Sequence, residues 1–205
     1  MTIQCRRSRV KGIEFEGTLL VVPGLPFNFG ATYLNATYRD YRNAPSGPVQ
    51  TAPPYDAPPL LLSVDASGKG LPLAPRVTAA LAVQYTVNTK IGNWTFATAY
   101  HHNSGFSWEP DNLFRQQFYD LFSRQISYRP NERFSISIWS KNLTDKINAA
   151  VATTRAGPAG YPFIAAPTRT YGLPAGFESS SNLERDASAR GGGRCILPPF
   201  PKGEG

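Results

Sequence analysis

The amino-acid sequence predicts an all-β fold, an antiparallel up-and-down sheet of the transmembrane β-barrel kind, and three observations predict it. Apolar residues recur with period two, so each segment is greasy on one side and polar or small on the other. Tight turns alternate with long links, whereas a soluble sandwich has no reason to sort its loops by length. The polar sides carry Thr, Ser, Ala, Gly, Gln and Glu, which suit a wet lumen better than a packed core.

About seven strands follow from the period-two pattern. Residues 9–21 set Ile13, Phe15 and Leu19 against Glu14, Glu16 and Thr18. Residues 26–39 set Phe27, Phe29, Ala31 and Tyr33 against Asn28, Gly30 and Thr32. The cleanest alternation is 76–87, where Val77, Leu81, Val83, Tyr85 and Val87 oppose Thr78, Ala80, Ala82, Gln84 and Thr86. Residues 93–103 carry Trp94, Phe96 and Tyr100 on one side and Thr95, Ala97, Ala99 and His101 on the other. Residues 119–128 place Phe122, Ile126 and Tyr128 opposite Leu121, Ser123, Gln125 and Ser127. The run RFSISIWSKNLTDK (133–146) pits Phe134, Ile136 and Ile138 against Ser135 and Ser137, and a last strand is expected over 168–177.

Between these strands, Val22-Pro23-Gly24-Leu25, Asn88–Gly92 and Arg129-Pro130-Asn131-Glu132 are tight turns with the Gly, Pro and Asn chemistry turns require. The links 40–74, 104–118 and 143–167 are long. A membrane barrel has short periplasmic turns and long extracellular loops, with strands of about ten residues showing one face to lipid and one to the lumen. Tyr33, Tyr38, Tyr41, Tyr85, Trp94, Tyr100, Tyr128 and Trp139 lie toward strand ends, where interfacial aromatic girdles are expected.

Composition agrees: aromatics make up 12% of the 205 residues, and Gly 18 and Pro 19 supply turns. The net charge of +7 permits an anionic partner, but only Arg6, Arg7, Arg9 and Lys11 cluster without acids, so no nucleic-acid footprint is expected. Cys5 and Cys195 form no metal-ligand spacing. The first residues, MTIQCRRSRVKG, hold no apolar core for a signal peptide, and no stretch is long enough for a membrane-spanning helix.

Three stretches in order carry a resemblance. RVKGIEFEGTL (9–19) resembles a Lys-Gly-x-Glu-x-Glu strand, at Lys11, Gly12, Glu14 and Glu16. FSISIWSKNLTDK (134–146) is similar to a penultimate strand ending Asn-Leu-x-Asp, here Asn142, Leu143 and Asp145. RTYGLPAGF (169–177) resembles a final strand, at Arg169, Tyr171, Gly172 and Phe177. The family they resemble is the TonB-dependent outer-membrane receptors, over nearly residues 9–177. The resemblance implies the C-terminal strands of a bacterial outer-membrane barrel whose parent imports a scarce solute such as a ferric siderophore. It also implies an upstream plug, a TonB-contacting segment reached only through missing upstream residues, and outer-membrane lipid as a partner.

Residues 1–177 are therefore expected to be the C-terminal barrel portion, and 178–205, rich in Gly, Ser and Pro, a disordered, non-family tail. A truncated or frame-shifted reading frame is the expectation that this tail and the missing upstream part suggest, with a chain inactive alone. Pro174 removes a ladder donor from the last strand. Arg124 shares a face with Phe122 and Ile126, pointing either to a shifted register or to relaxed constraint.

No catalytic constellation, metal site or cofactor is expected. His101 and His102, as neighbours on a strand, face opposite ways and cannot share one ion, and Glu109, Asp111 and Asp120 lack a nucleophile or a second His nearby. The sequons at Asn35, Asn93 and Asn142 are ascribed to chance. Glu14, Glu16 and Gln84 are expected to face the lumen, the glutamates pairing with Arg or Lys of neighbouring strands. Trp108 and Tyr55, in the long links, are the candidate ligand-stacking residues. Two rivals stay open: a soluble β-sandwich binding module, which would remain monodisperse without detergent, and a small passive porin, which requires a closed barrel.

Overall fold

A computed structural model describes residues 7–46, 62–152 and 163–177. One antiparallel sheet organises it, built from β1 (Arg7–Val22), β2 (Leu25–Asp40), β5 (Val77–Thr89), β6 (Gly92–Asn103), β9 (Tyr119–Arg129), β10 (Phe134–Lys141), β13 (Thr170–Gly172) and β14 (Ala175–Phe177). The order is β1-β2-β5-β6-β9-β10-β13, with β14 also on β10, so every stave pairs with its sequence neighbour. This is the predicted up-and-down meander, and it is open: β1 at one edge and the β13–β14 stave at the other leave backbone groups unpaired.

The turns at one end form for local reasons. Gly24 adopts φ 83° and Gly92 φ 132°, conformations that a side chain disfavours. The third turn is held by Asn131, whose Oδ1 accepts the amides of Arg133 and Phe134, both at 2.9 Å.

Register separates two faces across all staves, because directly opposed residues share a face. One row runs Thr18–Asn28–Ala82–Ala99–Ser123, and lower rows bring Gln84 opposite Ala97 and Ser127 opposite both Thr95 and Ser137. The other face carries Ile13–Tyr33–Val77 and Phe15–Ala31–Ala79 on the first staves, then Phe96–Ile126–Ile138. The polar face is concave: it lines a trough of about 650 Å³.

Among the described residues neither face is covered, and the buried apolar side chains are Tyr38 near the end of β2 and Tyr41, Ala44 and Ala66 in the link after it, while Ile13 is 74% and Phe15 64% exposed. A sandwich would bury such residues against a second sheet about 10 Å away. The remaining sheets here are two-stranded pieces within the links: β3 (Ala44–Ser46) with β4 (Leu62–Val64), β7 (Phe106–Ser107) with β8 (Arg115–Gln116), and β11 (Ala149–Ala152) with β12 (Phe163–Ala165).

Three expectations need correction. The last strand is broken: β13 and β14 are separated at Leu173-Pro174, yet Trp139–Gly172 and Ile136–Ala175 keep one register across the gap. Tyr38 and Tyr41 pack against each other at 5.0 Å in the buried cluster, and Trp139 lies on the polar face opposite Gln125 and Gly172, so these three do not join an outward girdle. Arg124 shows no shift of register: it opposes Thr98 and Ser140 on the apolar face. The tail 178–205, Cys5 and Cys195 lie outside the described residues.

Candidate functional site

The trough has a floor of small residues, with both polar and apolar side chains around it. Gly30, Ala80, Ala82 and Ala99 make its floor, with Glu16 and Asn28 on one side and His101, Leu121 and Ser123 on the other. Short side chains on three adjacent staves leave the space that bulky ones would fill. Glu14 lies one row above, opposite Thr32, and Gln84 one row below the trough, opposite Ala97. Register thus puts Glu14, Glu16 and Gln84 on the concave face, but only Glu16 touches the trough. The expected pairing of the glutamates is not found: among the described residues the ion pairs are Arg42–Asp40, His102–Asp120 and Arg169–Asp145.

His101 and His102 part as their spacing requires. His101 lines the trough, while His102 Nδ1 lies 2.7 Å from Asp120 Oδ1 on the apolar face, where Tyr100 Oη also donates to that oxygen at 2.7 Å. Among the described residues no group of three or more His, Cys, Asp or Glu could hold a metal.

Above the trough, the first two long links are stitched together. Ser46 Oγ donates to Asp111 Oδ2 at 2.8 Å, Lys69 Nζ to the Asp111 carbonyl at 2.8 Å, and Asn112 Nδ2 to the Gly70 carbonyl at 3.0 Å. Glu109 and Asp111 are 5% and 3% exposed. Burial first, and the neighbouring Asp111 charge second, push the Glu109 carboxyl up to about 7. The sequence gives little warning of this contact. Its signal is Pro110-Asp111-Asn112, a turn run in which Asn112 adopts φ 59° and Asp111 Oδ1 accepts the Leu113 amide at 3.0 Å.

Trp108 belongs to this cap and is not the free stacking surface its loop position suggested. It is half-buried, with Phe106 edge-on at 5.0 Å and Phe114 stacked at 6.4 Å, and its buried indole N–H has no partner among the described residues. Tyr55 lies outside the described residues.

The corner at 142–145 explains its own residue types. Asn142 at φ 50° and Asp145 at φ 56° occupy left-handed backbone, which Asn and Asp tolerate better than most. Asn142 Nδ2 donates to the Lys146 carbonyl at 2.8 Å and the Pro167 carbonyl at 3.4 Å, while its Oδ1 accepts the Lys146 amide at 2.9 Å. Asp145 Oδ1 accepts the Arg169 amide at 2.8 Å, and the Arg169 guanidinium stands 3.8 Å from Oδ2. The Leu143 amide donates to Phe122 of β9 at 2.8 Å. Three staves are thereby fixed by four residues.

Two glycines of the quoted stretches fill positions where a Cβ has no room. At Gly12 it would stand 2.7 Å from the Tyr33 carbonyl, and at Gly172 2.7 Å from the Trp139 ring. Lys11 is exposed on the apolar face opposite Asn35. Tyr171 and Phe177 share that face, 80% and 74% exposed.

These features can be set beside known proteins. Residues 3–143 match the family described as TonB dependent receptor-like, beta-barrel. Among solved structures the chain is similar to the ferric yersiniabactin uptake receptor FyuA from Yersinia pestis, at 18% identity and TM-score 0.66, over 84% of this chain and 24% of that one. It is similar also to the siderophore receptor PiuA from Acinetobacter baumannii, at 19% identity and TM-score 0.61, covering 83% and 22% of the two chains. The ferric preacinetobactin receptor BauA from Acinetobacter baumannii aligns at 16% identity and TM-score 0.59, covering 84% and 22%. The chain spans about a quarter of the length of these structures.

Proposed function

The chain belongs to the TonB-dependent receptor-like β-barrel family, and from that premise we propose that it forms part of the wall of an outer-membrane receptor importing a scarce solute such as a ferric siderophore. The observation that carries the reading is the two-faced, uncovered sheet. A convex apolar face without a protein layer needs lipid, and a concave face of Glu, Gln, Ser, Thr and small residues needs a wet interior. Import of this kind is gating driven by TonB, with no covalent chemistry, and contact with TonB is made by parts of the receptor other than this sheet.

In this reading the open edges are completed by further staves, since an unpaired backbone group in hydrocarbon costs several kcal/mol. Seven staves alone would therefore not transport. Glu14, Glu16 and Gln84 line the lumen, and the unpaired glutamates offer acceptors to whatever fills the barrel. Ligand selection falls to the capped loops, where Trp108 and Tyr55 are the candidate contacts. A soluble sandwich lacks the second sheet among the described residues, and a passive porin would need closure within this chain.

Uptake of radiolabelled iron complexes by cells carrying the receptor tests the proposal. Saturable import of one chelate class, abolished by loss of TonB or by an uncoupler, is the expected result. Entry insensitive to both would show a passive pore and overturn it.

A further inference from the structure

The convex face carries polar groups that solute import leaves unused. In one row Thr98, Arg124 and Ser140 stand directly opposed, with Val83 of β5 on one side and Tyr171 of β13 on the other. Thr98 and Arg124 are exposed, and the row beneath them, Phe96–Ile126–Ile138, is wholly apolar. Four residues from Arg124 toward the long-link end, on the same strand and face, Asp120 lies opposite His102. Its Oδ1 meets the Tyr100 hydroxyl and His102 Nδ1, both at 2.7 Å, while its Oδ2 accepts no hydrogen bond among the described residues.

Height gives Arg124 its level. At ~3.3 Å per residue and a tilt of about 45°, four residues climb about 9 Å. The stacked Trp94–Tyr128 pair lies that far below Arg124, and the Asp120–His102 pair that far above it. Arg124 therefore stands near the middle of an apolar band about 25 Å tall. A charge at that depth is costly unless an anion reaches it. Its opposed neighbours Thr98 and Ser140 supply none, and Arg124 is in none of the ion pairs among the described residues.

We infer that this face docks a second copy of the chain, the Arg124 guanidinium of each copy binding the Asp120 carboxylate of the other. Copies inserted the same way up are related by a twofold axis along the membrane normal, and such an interface must carry its own complement. Here both signs lie on one face, so a single charge pair is made twice. The height difference of about 9 Å is covered by the long Arg side chain turned upward. A guanidinium presents paired donors to a carboxylate, and Asp120 Oδ2 has its acceptor capacity free. The exposed Phe96, Ile126 and Ile138 supply the apolar contact beneath the pair. Where lipid dilution keeps copies apart, Arg124 has no anion and is only a cost. The inference rests on the membrane-wall reading of the convex face, and its test separates the two.

The full chain, labelled at its amino terminus with a donor or an acceptor fluorophore, is folded into phosphatidylcholine vesicles and floated on a density gradient. Energy transfer is then read over a series of lipid dilutions. The expected result is transfer above chance proximity. Arg124→Glu and Asp120→Lys should each raise the protein-to-lipid ratio at half association by at least about tenfold, and Lys90→Gln, in the turn before β6, should leave it unchanged. Mixing the two charge-reversed variants should restore association, because each reversed charge then meets its opposite in the other copy, and that rescue shows that both variants fold. A chain that floats without associating, association through the open sheet edges that survives both substitutions, or a mixture no better than either variant alone would overturn the inference alone. A chain that does not float with the vesicles would overturn the membrane reading and this inference with it.

Discussion

Asn142 ties β10 to the chain beyond it with one side chain, and its loss should be costly. Asn142→Ala removes two good hydrogen bonds, at roughly 1 kcal/mol each, and puts a Cβ-bearing residue without Asn's local bonds at φ 50°. The expected loss is about 2–3 kcal/mol by urea unfolding in lipid vesicles, and Asn142→Gly should recover the backbone part. Arg124 predicts the opposite sign. On the convex face, and in none of the ion pairs among the described residues, it should cost about 2 kcal/mol, so Arg124→Leu is expected to raise unfolding free energy in vesicles by that order.

Glu109 gives a pH dependence whose sign is fixed. Its carboxyl titrates near 7 in the folded loops and near 4.5 unfolded, so the folded state holds the proton more tightly between those values. Loop stability is therefore full below about 4.5, falls as pH rises, and reaches its lower plateau above about 7. Hydrogen exchange over 104–118 should quicken across that window, and Glu109→Gln should flatten the response. At this scale the sequence showed the motif residues but not their contacts. Asn142 and Asp145 stand out as a polar corner, whereas the buried Asp111 beside Glu109 is held by Ser46 and Lys69, residues distant along the chain.

Elements were legible where local pattern decides them. The alternation in 76–87 fixed β5 and its two faces, and Asn131 marked its turn, because both signals are carried by neighbouring residues. The hairpins inside the links were not legible: β3 and β7 are three and two residues long, too short for any periodicity. Pro174 was seen as a missing donor, but its effect is a gap in pairing without a change of register. Its carbonyl still accepts the Ser137 amide at 2.9 Å, so the partner carbonyl of Ser137 faces the nitrogen that has no hydrogen. Pro174→Val should restore that bond, joining β13 and β14 into one strand and adding about 1 kcal/mol. A slowly exchanging amide at 174 would check it.

The described residues centre on one open antiparallel sheet whose two faces differ in character. Its buried apolar cluster lies at the long-link end, with Tyr38 at the end of β2 and Tyr41, Ala44 and Ala66 in the link after it. Period two made the two-faced arrangement readable, since it showed apolar residues on one face and mostly small or polar ones on the other. Curvature was not readable, as it emerges from pairing over many staves, and so neither was the trough beside Glu16. The most direct test labels single cysteines at successive positions 80 to 85 of β5 with an environment-sensitive fluorophore in the vesicle-inserted protein. Brominated lipid should quench positions 81, 83 and 85, and aqueous iodide positions 80, 82 and 84. Uniform iodide quenching without alternation, or the reverse assignment of the two sets, would contradict a barrel wall with lipid outside and water within.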